Sequence, residues 1–148
     1  MTGEGRVVVF KIDQPFDVAL GMLRRAIALE RLYIPHEFDT AARVRMELRV
    51  GLKQNIVIYV DDPIQLLEAT VMDPAGALFI PEPVVLSTAD KGCRISVRSM
   101  QPVFGSDLPV SLRRAVANVH ERILSAIQRI GHKETAAGQM AECSTVPA

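Results

Sequence analysis

The side chains in this sequence best suited to chemistry are carboxylates and histidines set at the ends of apolar runs. Asp61 follows NIVIYV at 55–60, and Glu82 lies between Pro81 and Pro83 just after the run ALFI. Carboxylates that meet at one rim of a sheet can share a proton or hold a hard cation such as Mg²⁺ or Mn²⁺. This reading predicts a ligand-binding and metal-holding site of Asp61 and Glu82, with Asp62 beside them and His36 from the segment LYIPHEF. A simpler demand competes for the aspartates. Asp61-Asp62-Pro63 is also a helix start, where a carboxylate accepts from first-turn N–H groups and gains from the helix dipole.

Other chemistries find less in the residues. None of the three histidines stands four residues from another or in an HExxH pattern, so no metal set is written into local sequence. His120 falls at the edge of an apolar helical stripe, the place of a packed or interfacial histidine. His132 follows that helix, where a protonated ring favours the C-terminal dipole. There is no GxSxG elbow, no CxxC and no glycine-rich phosphate loop, and the GEG at 3–5 precedes a strand rather than following one. Cys93 opens an alternating run as a small apolar residue, and Cys143 lies in a polar tail. The residues name no cofactor.

The chain that must position these groups has 148 residues, 49% of them hydrophobic and 23% charged, enough for one domain with a real core. Seventeen basic residues balance seventeen acidic ones. The long-range field that draws proteins to nucleic acid or anionic lipid is therefore missing, and no nucleic-acid partner is expected. Arg114, Arg122 and Arg129 on the last helix read as a solvated face. The apolar runs are far shorter than the roughly 18 residues of a membrane span, and no secretory pattern opens the chain, which predicts a cytoplasmic protein without a membrane partner.

The periodicity predicts the elements. VVVFKI at 7–12 is a β-branched strand that stops at Asp13-Gln14-Pro15. Phe16, Leu20, Leu23 and Ile27 mark an amphipathic helix in which Gly21 signals close packing. A second strand covers 32–38. Asp39 caps a short helix that turns Ala41, Val44 and Leu48 inward and stops at Gly51. A buried strand at 55–60 leads into a helix from Pro63 to Asp73-Pro74. The segment Val84–Ser87 and CRISVRS at 93–99 form a hairpin through TADKG. After a loop around Pro102 and Gly105, Ser106 or Asp107 caps a last helix with the stripe Leu112, Val116, Val119, Ile123, Ile127 and Ile130, ended by Gly131. The order β-α-β-(α)-β-α-β-β-α predicts an α+β domain over 1–131, a mostly antiparallel sheet with helices on one face, and a polar mobile tail over 132–148.

FDVALGMLRRAI, IVIYVDDP, LLEATVMDP and LFIPEPVVL, followed by a terminal amphipathic helix, resemble the domain-of-unknown-function family 302 over about Phe16 to Ile130. The resemblance implies a TATA-binding-protein-like fold and a homodimer, with no biochemical activity attached to the family as a whole. Where the family has Cys-Asn-Pro this chain has Asp61-Asp62-Pro63, and where it has Pro-Cys-Asn this chain has Pro81-Glu82-Pro83. Thiol redox or soft-metal chemistry does not carry over, because a carboxylate is a hard oxygen ligand. Two functions follow as expectations. One is a non-enzymatic homodimeric module for a small ligand or partner, its interface including Ile95 or Val97 or the rim of the last helix. The other is a hard-metal-assisted enzyme using Asp61 and Glu82.

Overall fold

Strand segments whose side chains alternate, or are apolar throughout, need a layer to face, and two long amphipathic helices provide it. The computed structural model describes residues 6–100 and 108–134. The chain runs β1 (Val7–Ile12), α1 (Phe16–Leu29), β2 (Tyr33–Asp39), α2 (Thr40–Leu48), β3 (Asn55–Asp61) and α3 (Pro63–Met72). A 3₁₀ turn (Pro74–Leu78), β4 (Glu82–Thr88), β5 (Cys93–Arg98), α4 (Val110–Gln128) and β6 (His132–Lys133) follow. The strands form one sheet in the order β2-β3-β4-β5-β1-β6, with every neighbouring pair antiparallel. The helices lie on one side, so the expected α+β architecture holds.

Register and pleat decide what enters the core. Ile58 stands opposite Val84, Leu86 opposite Ile95, and Ile95 opposite Phe10, so these five share the face toward the helices. Leu20, Leu23 and Ile27 of α1 and Leu112, Val116, Val119, Ile123 and Ile127 of α4 close over them. Ile95 and Val97 are fully used in this layer, which removes them from any outward interface. Gly21 also departs from expectation, since a Cβ there would meet nothing within 4 Å. Each buried aliphatic side chain of α1 contributes roughly 1.5–3 kcal/mol. One unhelpful glycine costs about 1 kcal/mol and is tolerated without a packing role.

Element ends follow local chemistry with some shifts. Asp39 accepts from Ala42 N at 2.8 Å as the cap of α2. That helix ends at Arg49, itself left-handed with φ 55°, two residues before Gly51. Only Ala41 of α2 is buried, and Leu48 is exposed. β4 starts at Glu82 rather than Val84, with Pro83 opposite Tyr59 near the strand's beginning, where a missing N–H costs the ladder least. The Ile80–Pro81 peptide is cis. Pro109 stands at the N-cap of α4, and the expected caps Ser106 and Asp107, with the loop around Pro102 and Gly105, lie outside the described residues. His132, Lys133 and Glu134, expected at the start of the tail, belong to the sheet instead, because β6 pairs with β1 and Glu134 N donates to Val9 O at 2.8 Å. The residues beyond 134, Cys143 among them, lie outside the described residues, as does the GEG at 3–5.

The β4–β5 turn is fixed by Gly92. Its φ is 73°, and a Cβ there would stand 2.3 Å from the backbone oxygen of Ile12. Gly92→Ala therefore lowers unfolding stability by at least about 2 kcal/mol in urea titration, since strain and collision add. A variant as stable as the parent would show that the turn is not pressed against β1.

Candidate functional site

Glu82 occupies a position on the inward row of β4, where the facing residue of β3 and the next inward residue of β4 itself are apolar. It stands opposite Val60 and two residues before Val84, both fully buried toward the helices, and it is itself only 2% exposed. A carboxylate taken out of water at such a place needs a partner. His120 provides one: its Nδ1 lies 2.8 Å from Glu82 Oε1. The helical stripe explains how it gets there, because His120 is one turn after Val116 and one turn before Ile123 on the face that α4 buries. An ionised carboxylate only accepts, so Nδ1–H donates and, in the neutral ring, Nε2 is left as an acceptor. The second carboxylate oxygen, Oε2, is buried with no hydrogen-bond partner among the described residues. Of the two residues His120 keeps more exposure, 7%, so the imidazole is the solvent-side member.

The neighbouring aspartates do different work. Asp62 caps α3, accepting from Ile64 N at 2.9 Å, and also takes Arg122 Nη1 at 2.6 Å. Burial pushes its carboxyl up, but the Arg122 guanidinium and the first-turn amides outweigh it, and the group titrates below the ordinary aspartate value. Arg122 further donates to Asn118 Oδ1 at 2.9 Å, to Glu30 O at 2.9 Å and to Arg31 O at 3.3 Å. Arg129 pairs with Glu30 at 2.8 Å. Two of the three arginines expected to form a solvated face are thus a clasp joining α4 to the end of α1, and Arg122 reaches the start of α3 as well. Asp61 is buried, and desolvation first, then the Asp62 charge beside it, pushes its carboxyl up.

The expected trio of Asp61, Glu82 and His36 is not assembled. Alternation along β3 sends Asp61 away from the face shared by Val60 and Glu82, and the charge acting on Asp61 is Asp62. His36 lies opposite Tyr59 on edge strand β2, the two ring centroids 5.7 Å apart. Among the described residues no group of three His, Cys, Asp or Glu side chains could hold a metal ion. Glu82 finds its imidazole on α4 instead of β2. Cys93 is remote, six positions along the ladder from Glu82, or roughly 20 Å. Its thiol donates to Gln14 O at 3.4 Å, and burial pushes its pKa up.

No protein-family model matches the chain, and no curated protein matches it either. Its fold is similar to the crystal structure of an uncharacterised conserved DUF302 protein from Bacillus stearothermophilus, at a TM-score of 0.74. The two are 11% identical, and the match covers 84% of this chain and 97% of that one. The fold is therefore DUF302-like, in agreement with the order of motifs. Likeness at that identity transfers architecture and not activity.

The two aspartates predict stability changes of opposite sign. At neutral pH, Asp61→Asn raises stability by about 1 kcal/mol because a charge that burial penalises is removed. Asp62→Asn keeps the cap but weakens the ion pair, and lowers stability by about 1–2 kcal/mol. Both differences shrink in acid. The Asp61 cost disappears as pH falls through its raised folded value. The Asp62 contribution, complete above the unfolded value of about 3.9, fades as pH falls through its depressed one. Urea titrations of both variants between neutral and acid pH check this, and equal signs at neutral pH would refute it.

Proposed function

We propose that this chain is a non-enzymatic, homodimeric cytoplasmic module that binds a small ligand through the Glu82–His120 pair. The observation that carries the reading is Glu82 Oε2, an acceptor buried without a partner among the described residues beside an imidazole that holds its twin oxygen. A half-satisfied carboxylate in an apolar layer is a stability liability, and such a group is better explained by what it receives than by what it holds together. Oε2 accepts, and so does Nε2 of the neutral ring, so the matching ligand presents hydrogen-bond donors. The acceptors are a carboxylate and an imidazole, and a charged donor binds a carboxylate more strongly than a neutral one, which ranks a small amine ahead of a neutral polyol.

Binding is favoured over catalysis because the described thiol is far from the pair and protonated by burial. No helix among the described residues is long and apolar enough to cross a membrane.

A ligand that binds only the folded state raises the melting temperature by mass action. Thermal unfolding in the presence of a panel of small amines and polyols at millimolar concentration is expected to show an upward shift of several degrees for at least one amine. Glu82→Gln, which turns one acceptor oxygen into a donor, removes that shift. An equal shift in both proteins, or none in the parent across the panel, contradicts the reading.

A further inference from the structure

The face of the sheet turned away from the helices carries side chains that the packing of the fold does not need. Ile58, Val84 and Val97 point inward, so the residues next to them look outward, and register lines these up across the strands. One outward row runs His36, Tyr59, Pro83, Arg98 and Val7, from β2 to β1. At its β2 end the His36 and Tyr59 rings have centroids 5.7 Å apart and are tilted by 31°. His36 is exposed and Tyr59 half-buried. Together they form an apolar platform wider than either ring, which Phe38 opposite Val57 extends in the next row. Toward the other end stands Arg98, partly buried, its Nε enclosed with no hydrogen-bond partner among the described residues. A guanidinium donor withdrawn from water without an acceptor is costly, and its neighbours in the row, Val7 and Pro83, have no side-chain acceptor to offer.

We propose that this open face binds a small aromatic anion of the nucleoside monophosphate kind, its planar ring on the His36–Tyr59 platform and its anionic group on Arg98. Neighbouring strands stand about 4.8 Å apart, so Tyr59 and Arg98, two strands apart, are roughly 10 Å apart at the backbone with the Pro83 ring between them. The long arginine side chain closes part of that gap, and a ligand whose ring and anion are joined by a few bonds closes the rest. A guanidinium suits such an anion because its planar fork meets two oxygens at once. Charge complementarity also sets the size of the ligand. The second arginine of the face, Arg94, is tied to Glu134 Oε1 at 3.0 Å, which leaves Arg98 and, at the far side, Lys11. That suits one anionic group and not the run of phosphates in a nucleic-acid strand, which needs a row of cations to track it. The sheet separates this site from Glu82 and His120, which lie under the helices, so it does not rest on the amine reading.

Amide chemical shifts of the full chain, followed by nuclear magnetic resonance during titration with adenosine 5′-monophosphate to about 5 mM, test the site. The expected result is saturating shifts centred on Tyr59 and Arg98. Adenosine, which lacks the anion, and ribose 5-phosphate, which lacks the ring, each bind at least about tenfold more weakly, the loss of one charge-assisted or stacking contact. Arg98→Gln and Tyr59→Leu bring similar losses. Where the spectrum of Tyr59→Leu shows an altered fold, His36→Ala at its exposed position is read in its place, and the two ligand fragments test the parent without any substitution. No shift in the parent, adenosine binding as tightly as the monophosphate, or an affinity unchanged in Arg98→Gln overturns the proposal. Shifts centred on Glu82 and His120 overturn it too, by placing the ligand under the helices. A single-stranded decanucleotide that binds at least a hundredfold more tightly than the monophosphate, with steep salt dependence, overturns it by making the face a strand-binding surface.

Discussion

A sheet covered on one face makes alternate residues of its strands meet the same apolar layer, and the rest of the structure depends on that constraint. It fixes register, since a slip of one residue would turn Ile56, Ile58 and Val60 to the open side and replace them with Val57, Tyr59 and Asp61. It also makes Glu82 an exception with consequences. The row that places Val84, Leu86 and Ile95 under α4 places this carboxylate there too, and burial of an ion is tolerated only with a hydrogen-bonded partner. His120 meets that need on one oxygen and leaves the other open.

The same end of the molecule holds the Arg122 clasp. One guanidinium joins the cap of α3 to the last carbonyls of α1 and to α4, so three helices are tied at the level where β3 ends. Asp62 is thereby explained by structure, as cap and ion-pair partner, and needs no further role. Asp61 has no such explanation in the hydrogen bonds around it, and its raised titration follows from burial and from the charge next door. Two adjacent aspartates in one motif thus differ in kind: one stabilises the fold and the other burdens it.

Much of this was legible in the residues. Caps showed themselves because Asp39 and Asp62 precede helical periodicity, and β1, β3 and β5 because their composition and alternation are local properties. The stripe of α4 even placed His120 at its edge. What was hidden is long-range. Two prolines around Glu82 disguised the start of β4, although counting back two from Val84 puts Glu82 on the inward face. Its pairing with a histidine 38 residues away depends on how α4 lies across the sheet, which no local pattern encodes. His36 stands apart from Glu82 for a related reason, since an edge strand with a bulge between Tyr33 and His36 turns that ring toward Tyr59. Leu48 and the residues around Arg49 show the limit of propensity, because a left-handed arginine ended the helix before the glycine could.

The central claim is that Glu82 and His120 are kept for what they bind and not for the stability of the fold. Replacing both by apolar side chains of similar volume, Glu82→Met with His120→Leu, separates these roles in one thermal unfolding measurement. A buried carboxylate and its hydrogen-bonded partner exchanged together for well-packed apolar groups leave no uncompensated charge, and for buried ion pairs such an exchange is commonly neutral or stabilising by about 1–4 kcal/mol. At roughly 2–4 °C per kcal/mol for a chain of this size, the account predicts a melting temperature equal to the parent's or several degrees higher. A double variant that melts several degrees lower would contradict it, and would make the pair a structural device.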